Sequence, residues 1–303
     1  MTVPDDDTAS ARNTLVDDLI QRRIIQTPAV ERAFRAVPRH AFLPTPFLLP
    51  IDPFATEMEE TRDARRAYSD TVVAANENVS SVAPSTGAEQ IEQLLVGEGM
   101  RVLHVGAGTG YYTAILAELV GEQGTVLGME YAADLAELSA GFLGQAGYTN
   151  VTIREGDGAF GIPEAGPFDR ILVSAAVTDI APAWISQLEL DGRLVLPLCH
   201  GGGLGRPLSG GVILTVQKTA NGLWGDFSSN GLFAPLRGTL TPAGDDTAAL
   251  ADGLQRWRAL EDFLRTHLPV CIAMKANLPR VPGPSSVPWQ LETRNAIMWI
   301  QPN

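Results

Sequence analysis

The fold of this chain is decided by residues 100–130, MRVLHVGAGTGYYTAILAELVGEQGTVLGME. A short apolar run rich in β-branched residues, Val102 to Val105, has the composition of a buried parallel strand. Three glycines at alternate positions follow it: Gly106, Gly108 and Gly110. Because glycine has no Cβ, it can adopt positive φ and let a ligand approach the backbone closely. We therefore expect a glycine turn, residues 106–110, that binds a ligand.

An amphipathic helix and a second strand come after the glycine turn. Apolar residues at helical spacing predict a helix over Tyr111 to Val120, and Gly121 ends it. A strand from Thr125 to Met129 then delivers Glu130 at its carboxyl end, about twenty residues past the glycines. An ionised carboxylate at this place can accept hydrogen bonds from two vicinal ribose hydroxyls. The ligand is therefore predicted to contain a nucleoside.

The spacing of small residues narrows the choice of nucleoside. A dinucleotide fingerprint needs a third small residue where this chain has Tyr111, which disfavours NAD and FAD. No Gly-Lys-Ser/Thr follows the glycines, so a Walker phosphate loop is excluded. The remaining pattern, G-x-G-x-G and then an acid, resembles the first two motifs of class I S-adenosylmethionine-dependent methyltransferases. This resemblance implies S-adenosyl-L-methionine as cofactor, bound by Gly106, Ala107, Gly108, Gly110, Glu130 and Tyr131.

Composition limits the classes of partner. The 303 residues carry a net charge of −13, which repels a phosphate backbone, so we expect no nucleic-acid partner. Cys199 and Cys271 are isolated and have neither metal-ligand nor disulfide spacing, so no metal is expected. There is no apolar stretch of membrane length and no basic-then-apolar amino terminus. The sequence predicts a soluble, cytoplasmic protein without a membrane partner, and it leaves the oligomeric state unknown.

The amino-terminal segment carries the most family-specific match. We expect residues 1–10 to be frayed, Ala11 to Gln26 to form an amphipathic helix, and Thr27 to cap a second helix that Pro28 opens. The segment LIQRRIIQTPAVERAFRAVPRHAFLP, Leu19 to Pro44, resembles the amino-terminal helices of protein-L-isoaspartate O-methyltransferases. Those enzymes have a similar Val-Pro-Arg turn followed by phenylalanine and proline. The resemblance covers about Leu19 to Gly238.

An irregular passage is expected over Phe47 to Ala75, because it is long and shows no periodicity. Within it, Ala67-Tyr68-Ser69-Asp70 resembles the family's Tyr-x-Asp element, which implies a substrate-binding role for Asp70. A carboxylate in a turn or a helix cap is the alternative role of Asp70.

The substrate loop is predicted at residues 78–86, NVSSVAPST, ahead of a helix from Gly87 to Leu95. It resembles the family's Thr-x-Ser-x-Pro loop, which lies over the transferring methyl group and holds the substrate carboxylate. Alignment on Pro84 places Ser80 at the family's threonine and Val82 at its serine. Either Ser81 takes over in a shifted register, or main-chain amides grip the substrate. A serine-rich N-cap for the next helix is the alternative.

Two further positions are implied in cofactor binding by the resemblance. Asp157 and Gly158 follow a third helix, Tyr131 to Ala146, and a third strand, Val151 to Glu155, at the family's adenine contact. An ordinary Asp-Gly turn is the alternative. His104 lies where the family usually has an acid. Its imidazole can hydrogen-bond the methionine carboxylate of the cofactor or can simply pack in the core.

The rest of the chain continues the alternation of strand and helix, and the sequence divides into three parts. The predicted later segments are a strand Arg170 to Ser174, a helix Trp184 to Leu188, a strand Gly192 to Leu198, a hairpin loop Gly201 to Gly211, a strand Val212 to Lys218 and a helix Thr247 to Leu268. We expect residues 1–97 to form amino-terminal helices and the substrate-loop region, 98–240 the cofactor-binding core, and 241–303 a carboxyl-terminal extension. The fold class is α/β, with a doubly wound, mainly parallel, Rossmann-like sheet.

The resemblance implies transfer of a methyl group to an aspartyl or isoaspartyl carboxylate of a peptide or protein. Such a carboxylate is already ionised at neutral pH, so catalysis depends on positioning the carboxylate and the methyl donor more than on acid–base chemistry. The ester formed can close to a succinimide, also called an aspartimide. Two biological versions fit: repair of damaged isoaspartate in many proteins, and tailoring of one ribosomally made peptide. Val82, His104 and the carboxyl-terminal extension favour tailoring.

Two functions of other classes stay open at this point. One is a binding protein that keeps the cofactor and has lost turnover, which Val82 permits. The other is a nicotinamide-dependent oxidoreductase. Binding of S-adenosylmethionine without methyl transfer would indicate the first, and binding of NAD in its place would indicate the second.

Overall fold

A computed structural model describes residues 5–51, 57–76, 79–199, 209–241, 270–274, 290–292 and 296–300. The chain divides into two compact units, Met1–Gly156 and Asp157–Asn303. The functional division expected at residues 97 and 240 stays a prediction. Within the described ranges, every helix is too short or too polar to cross a membrane. The expected cytoplasmic location also stays a prediction.

The first unit opens with two helices, α1 (Asp5–Gln21) and α2 (Pro28–Ala36). The Thr27 hydroxyl accepts a hydrogen bond from the Val30 N–H, which confirms the predicted cap. The expectation of a frayed start is wrong for residues 5–10, because α1 already begins at Asp5 and these residues form its first turns. Helix α1 also ends before Gln26, since Arg23 adopts a left-handed φ of 59°.

A small antiparallel sheet follows, where an irregular passage was expected. Its strands are β1 (Phe47–Pro50), β2 (Met58–Thr61), β3 (Val73–Asn76) and β4 (Val79–Ser81), in the order β2-β1-β3-β4. Strand β1 buries alternate side chains, Phe47 and Leu49. The expectation of irregular structure is wrong here because strands of three or four residues are too short to show a period in the sequence.

The parallel part of the first unit matches the predicted βα pattern. Its elements are α3 (Pro84–Leu94), β5 (Arg101–Val105), α4 (Tyr111–Val120), β6 (Thr125–Glu130), α5 (Ala133–Gln145) and β7 (Val151–Glu155). Strand β6 pairs in parallel with both β5 and β7. Helix α3 begins earlier than the expected Gly87, because the fixed φ of Pro84 suits the first helical position. The substrate loop predicted over residues 78–86 is therefore wrong in its bounds: β4 occupies Val79–Ser81, and the loop ends at Ala83.

The second unit starts parallel and continues antiparallel. Its elements are β8 (Phe168–Val173), α6 (Pro182–Gln187), β9 (Leu188–Cys199), β10 (Ser209–Thr219), β11 (Gly222–Phe233), β12 (Val270–Met274), β13 (Gln290–Glu292) and β14 (Ala296–Ile300). Strands β8 and β9 are parallel, and β9 to β12 pair antiparallel in chain order, with β14 and then β13 beyond β12. The hairpin loop expected over Gly201 to Gly211 is wrong for residues 209–211, because β10 begins at Ser209. Residues 200–208, like the helix expected over residues 247–268, lie outside the described residues.

Candidate active site

The glycine turn joins β5 to α4 and needs its glycines for two different reasons. Gly106, Gly108 and Gly110 all have positive φ, at 79°, 58° and 94°. A Cβ on Gly110 would lie 2.7 Å from the Ser139 Oγ, whereas a Cβ on Gly108 would meet nothing within 4 Å. Gly110 therefore lets α5 pack closely against the turn. Gly108 leaves its face of the turn open to a ligand.

Glu130 and the glycine turn lie together, as the sequence predicted. Glu130 is 6% exposed, and its Oε2 accepts a hydrogen bond of 3.1 Å from the Gly108 N–H. The other oxygen accepts from the N–H groups of Tyr131, at 2.9 Å, and Ala132, at 3.3 Å. The structure thus brings the acid and the turn into one site, with Tyr131 about half exposed beside it.

The substrate loop is held by its carbonyl groups. The Val82 carbonyl accepts hydrogen bonds of 3.0 Å from both the Arg39 guanidinium and the Tyr112 hydroxyl. The Val82 side chain is buried, so it belongs to the core and offers the substrate no polar group. Ser81 Oγ is shielded from solvent, and the Ser81 side chain interacts with the Tyr112 hydroxyl. Ser80 belongs to β4, but its side chain lies outside what the structure describes.

Arg39 is a buried cation that ties the loop to the preceding chain. It is 1% exposed, and its guanidinium lies 5.8 Å from the centre of the Tyr111 ring. Besides Val82, the guanidinium donates to three more main-chain carbonyls, those of Ala67, Ser69 and Thr71, at 3.0, 3.3 and 3.2 Å. One side chain therefore fixes both the segment around Asp70 and the substrate loop.

Asp70 caps a helix from a distance. Its Oδ1 accepts a hydrogen bond of 2.8 Å from the Ser85 N–H in the first turn of α3, beside the buried Pro84. Its Oδ2 accepts one of 2.7 Å from Arg22, whose side chain is 44% exposed. This geometry supports the alternative of a capping carboxylate. A direct contact of Asp70 with substrate stays a prediction.

His104 is packed in the core of the first unit. It is 1% exposed, and its Nδ1 lies 2.8 Å from the Thr113 Oγ1 in α4. Burial lowers the pKa of His104 to about 3, so the imidazole is neutral at physiological pH. This environment supports the alternative of a packed histidine, and contact with the cofactor stays a prediction.

Asp157 stabilises a turn in the second unit. Its Oδ1 accepts from the Ala159 N–H at 3.0 Å, and Oδ2 accepts from the N–H and the hydroxyl of Thr239, at 2.7 and 2.6 Å. Burial alone raises the pKa of this carboxyl, but the bonds from Thr239 and Ala159 outweigh burial and lower it below its ordinary value. Asp157 is therefore ionised. The adenine contact expected at Asp157 and Gly158 stays a prediction.

Comparison with known proteins identifies the family. Residues 10–204 match the sequence profile described as Protein-L-isoaspartate(D-aspartate) O-methyltransferase. The chain belongs to this family. The protein-L-isoaspartate O-methyltransferase of Ignicoccus hospitalis is 35% identical over 187 residues, which are 62% of this chain and 81% of the relative. The one from Roseiflexus sp. is 37% identical over 192 residues, which are 63% of this chain and 79% of the relative.

Two solved structures share the fold of this methyltransferase. A protein-L-isoaspartate O-methyltransferase covers 96% of the chain and 88% of its own length, with a TM-score of 0.63 and 22% identity. A Plasmodium falciparum protein of the same description, solved in complex with S-adenosyl-L-homocysteine, covers 75% of the chain and 98% of its own length, with a TM-score of 0.59 and 22% identity. The predicted family and fold class are confirmed.

Family membership also confirms the predicted enzyme class, a carboxyl O-methyltransferase that uses S-adenosyl-L-methionine. The residues present fit such a donor, because the open face at Gly108 and the buried acid Glu130 form one site. Sequence reasoning missed Arg39, Tyr112 and Thr239 as site-forming residues. The Val-Pro-Arg turn was the available signal for Arg39, but it marked only the family and not the contacts of the side chain.

Proposed function

We propose that this methyltransferase esterifies the side-chain or isoaspartyl carboxylate of aspartate residues in peptides and proteins. The observation that carries the proposal is the hydrogen bond from the Gly108 N–H to Glu130, which joins the glycine turn and the acid in the region that matches the family. The bound donor supplies a methyl group activated by its sulfonium. A carboxylate oxygen forms a bond to the methyl carbon while the carbon–sulfur bond breaks, and the sulfur keeps the electron pair.

The residues of the glycine turn and Glu130 bind the methyl donor and orient it. The glycine turn lets the donor approach the backbone without a Cβ in the way. Glu130, as an acceptor, is suited to ribose hydroxyls, which would share its oxygens with the amides already bound there. In the first unit, the residues proposed to bind the donor are His104, Gly106, Ala107, Gly108, Gly110, Glu130 and Tyr131; in the second unit, Asp157 and Gly158 are proposed for the adenine contact that the resemblance implies.

On the substrate side, no general base is needed, since the carboxylate is ionised at neutral pH. The rate gain comes from holding oxygen, carbon and sulfur in line. Because the Val82 side chain is buried, either the hydroxyl of Ser81 or the main-chain amides of the loop orient the carboxylate. We assign Ser80 and Ser81 to the reacting carboxylate, and Asp70, Val82 and Pro84 to the shape of the substrate site.

The ester then reacts without further help from the donor. The neighbouring backbone amide nitrogen attacks the ester carbonyl, methoxide leaves and takes up the amide proton, and a succinimide remains. Release of methanol is therefore a signature of esterification at this position.

Transfer of a tritiated methyl group to matched peptides tests the proposal. One peptide carries a single isoaspartate and the other an ordinary aspartate in the same sequence. We expect labelled, base-labile ester on at least one peptide, followed by volatile methanol. Binding of S-adenosylmethionine with no label on either peptide, or on proteins rich in isoaspartate, would support a non-catalytic homologue and contradict the proposal.

Two variants test the assigned halves of the site. Glu130→Gln removes the charged acceptor and is expected to weaken donor binding roughly tenfold or more, since hydrogen bonds to a charged group contribute about 1.5–3 kcal/mol. Ser81→Ala is expected to lower kcat/KM for the peptide and to leave donor affinity unchanged. Ser186→Ala, on the exposed surface of α6, is the matched control and should change neither value.

Tailoring of a single peptide is the second candidate function, and Val82 favours it because a serine hydroxyl of the family's loop is replaced by a buried side chain. The argument from His104 is weaker than the sequence suggested, because its imidazole is packed in the core. The carboxyl-terminal extension lies largely outside the described residues, and its role stays a prediction. Similar kcat/KM on many unrelated isoaspartyl peptides would establish repair. Activity on one precursor peptide encoded nearby would establish tailoring.

A further inference from the structure

Tyr112 connects the glycine turn to the substrate loop. It is the second residue of α4, which begins directly after Gly110. Its hydroxyl donates to the carbonyls of Val82, at 3.0 Å, and Ala83, at 3.2 Å. Its ring packs so closely on α3 that a Cβ at Gly87 would overlap it. Ring and hydroxyl therefore contact both the loop and the helix that the loop enters.

A second connection runs beside the first. Tyr111, the first residue of α4, packs edge-on against Phe34 and lies under the Arg39 guanidinium. Arg39 in turn donates to the Val82 carbonyl. The first turn of α4 thus holds one carbonyl, that of Val82, through two routes. Only the Tyr112 route is direct.

The glycine turn is continuous with this first helical turn. The Gly110 N–H donates to the Ala107 carbonyl, and the Ala114 N–H donates to the Gly110 carbonyl. A ligand that orders residues 106–110 therefore also orders the start of α4 and the position of the Tyr112 hydroxyl. Burial raises the pKa of Tyr112, so the hydroxyl stays protonated and remains a donor.

We propose that Tyr112 is a positioning residue that couples donor binding at the glycine turn to the order of the substrate loop. The proposal rests on the proposed function for the identity of the donor. Coupling between two sites is reciprocal, so an ordered loop with bound peptide also strengthens donor binding by the same factor. The hydrogen bonds of the Tyr112 hydroxyl suit this role because they lie between the glycine turn and the substrate loop, within one compact unit.

Hydrogen exchange on the Tyr112→Phe variant tests the coupling. The variant keeps the ring against Gly87 and loses only the hydroxyl. Tyr148→Phe is the matched control, since it removes a hydroxyl that bonds Glu118 on the surface, at 2.8 Å. Amide exchange of residues 79–94 is measured with and without saturating S-adenosyl-L-homocysteine, and the affinity for this ligand is measured by calorimetry.

In the wild type and in the control, we expect the ligand to slow exchange in residues 82–87. In Tyr112→Phe we expect faster exchange of this segment in the free protein, ligand affinity within about threefold of the wild type, and most of the ligand-induced protection lost. A net hydrogen-bond contribution of about 0.5–1.5 kcal/mol corresponds to a two- to tenfold lower kcat/KM for the peptide, mostly through a higher KM.

Three outcomes would overturn the coupling: unchanged exchange in the free variant, ligand-induced protection equal to that of the wild type, or a wild-type loop that a bound ligand leaves unprotected. Failure of the proposed function looks different. If the proposed function is wrong, the wild type binds no S-adenosyl-L-homocysteine or methylates no peptide. Amide exchange in the ligand-free wild type and Tyr112→Phe still shows whether the Tyr112 hydroxyl holds the loop.

Discussion

The glycine turn and the substrate loop are the two halves of the site in the first unit, and they obtain their shapes in opposite ways. The turn is shaped by its own residues, three glycines with positive φ. The segment from Val82 to Ser85 is shaped by side chains from elsewhere, Arg39, Asp70 and Tyr112. A substitution in the glycine turn therefore acts through backbone strain. The substrate loop is instead disturbed when one distant side chain that contacts it is removed. Substitutions in the two regions should therefore differ in kind.

The largest effect is expected at Arg39. Arg39→Met keeps an apolar side chain of similar length but leaves four carbonyls, two of them buried and two partly buried, without their charged donor. Each unsatisfied buried group costs about 1–3 kcal/mol, and relaxation recovers part of this, so we expect a loss of about 3–5 kcal/mol in the free energy of unfolding. Urea denaturation measures the loss. Arg32→Met, on the exposed side of α2, is the control and should stay within about 0.5 kcal/mol of the wild type. A comparable loss in both variants would show that the carbonyl contacts of Arg39 contribute little.

The contrast between local and remote determinants also explains what the sequence could predict. Helix α4 and strand β7 have the predicted bounds, since their apolar spacing and flanking glycines are local signals. The antiparallel sheet of β1 to β4 was missed because its strands are short and pair across intervening chain. The glycine turn and Glu130 were found together because parallel strands end at one edge of a sheet. The contacts of Arg39 span up to 43 residues, and no local pattern encodes them.

The second largest effect is expected within the glycine turn. Gly110→Ala meets both a left-handed φ and the Ser139 Oγ, so strain and overpacking together should cost about 2–4 kcal/mol. Gly108→Ala meets only the φ cost, about 1–2 kcal/mol, because its Cβ would point into open space. That Cβ would occupy the face offered to the donor, so we expect greatly weakened binding of S-adenosyl-L-homocysteine despite a folded protein. Thermal unfolding and calorimetry separate the two variants, and equal donor affinity in Gly108→Ala and wild type would contradict the assigned site.

A third effect concerns pH and the core beside the turn. Burial holds the folded pKa of His104 near 3, against an ordinary value near 6.5, so the unfolded chain binds the proton more readily between these values. Stability from this group is therefore complete above pH 6.5 and falls by about 1.4 kcal/mol per pH unit below it. His104→Gln keeps a polar partner for Thr113 and removes the titration. Between pH 6.5 and 5, the wild type should lose about 2 kcal/mol more than the variant in urea unfolding. Parallel pH profiles would show that His104 is not buried as a neutral group.

The smallest effect is expected at Asp70 and separates its two contacts. Asp70→Asn keeps an acceptor for the Ser85 N–H and loses the ion pair with Arg22, and such a partly exposed pair contributes about 0–1 kcal/mol. Asp70→Ala loses the cap as well, which adds about 1 kcal/mol, and it should also raise the KM for the peptide because the start of α3 loosens. Arg22→Met removes the pair with Asp70 together with an exposed pair with Asp18 in the same helix, so it should lie within about 0.5 kcal/mol of Asp70→Asn. If Arg22→Met proved as damaging as Asp70→Ala, the loop would depend on surface charge and not on a helix cap supplied from a distance.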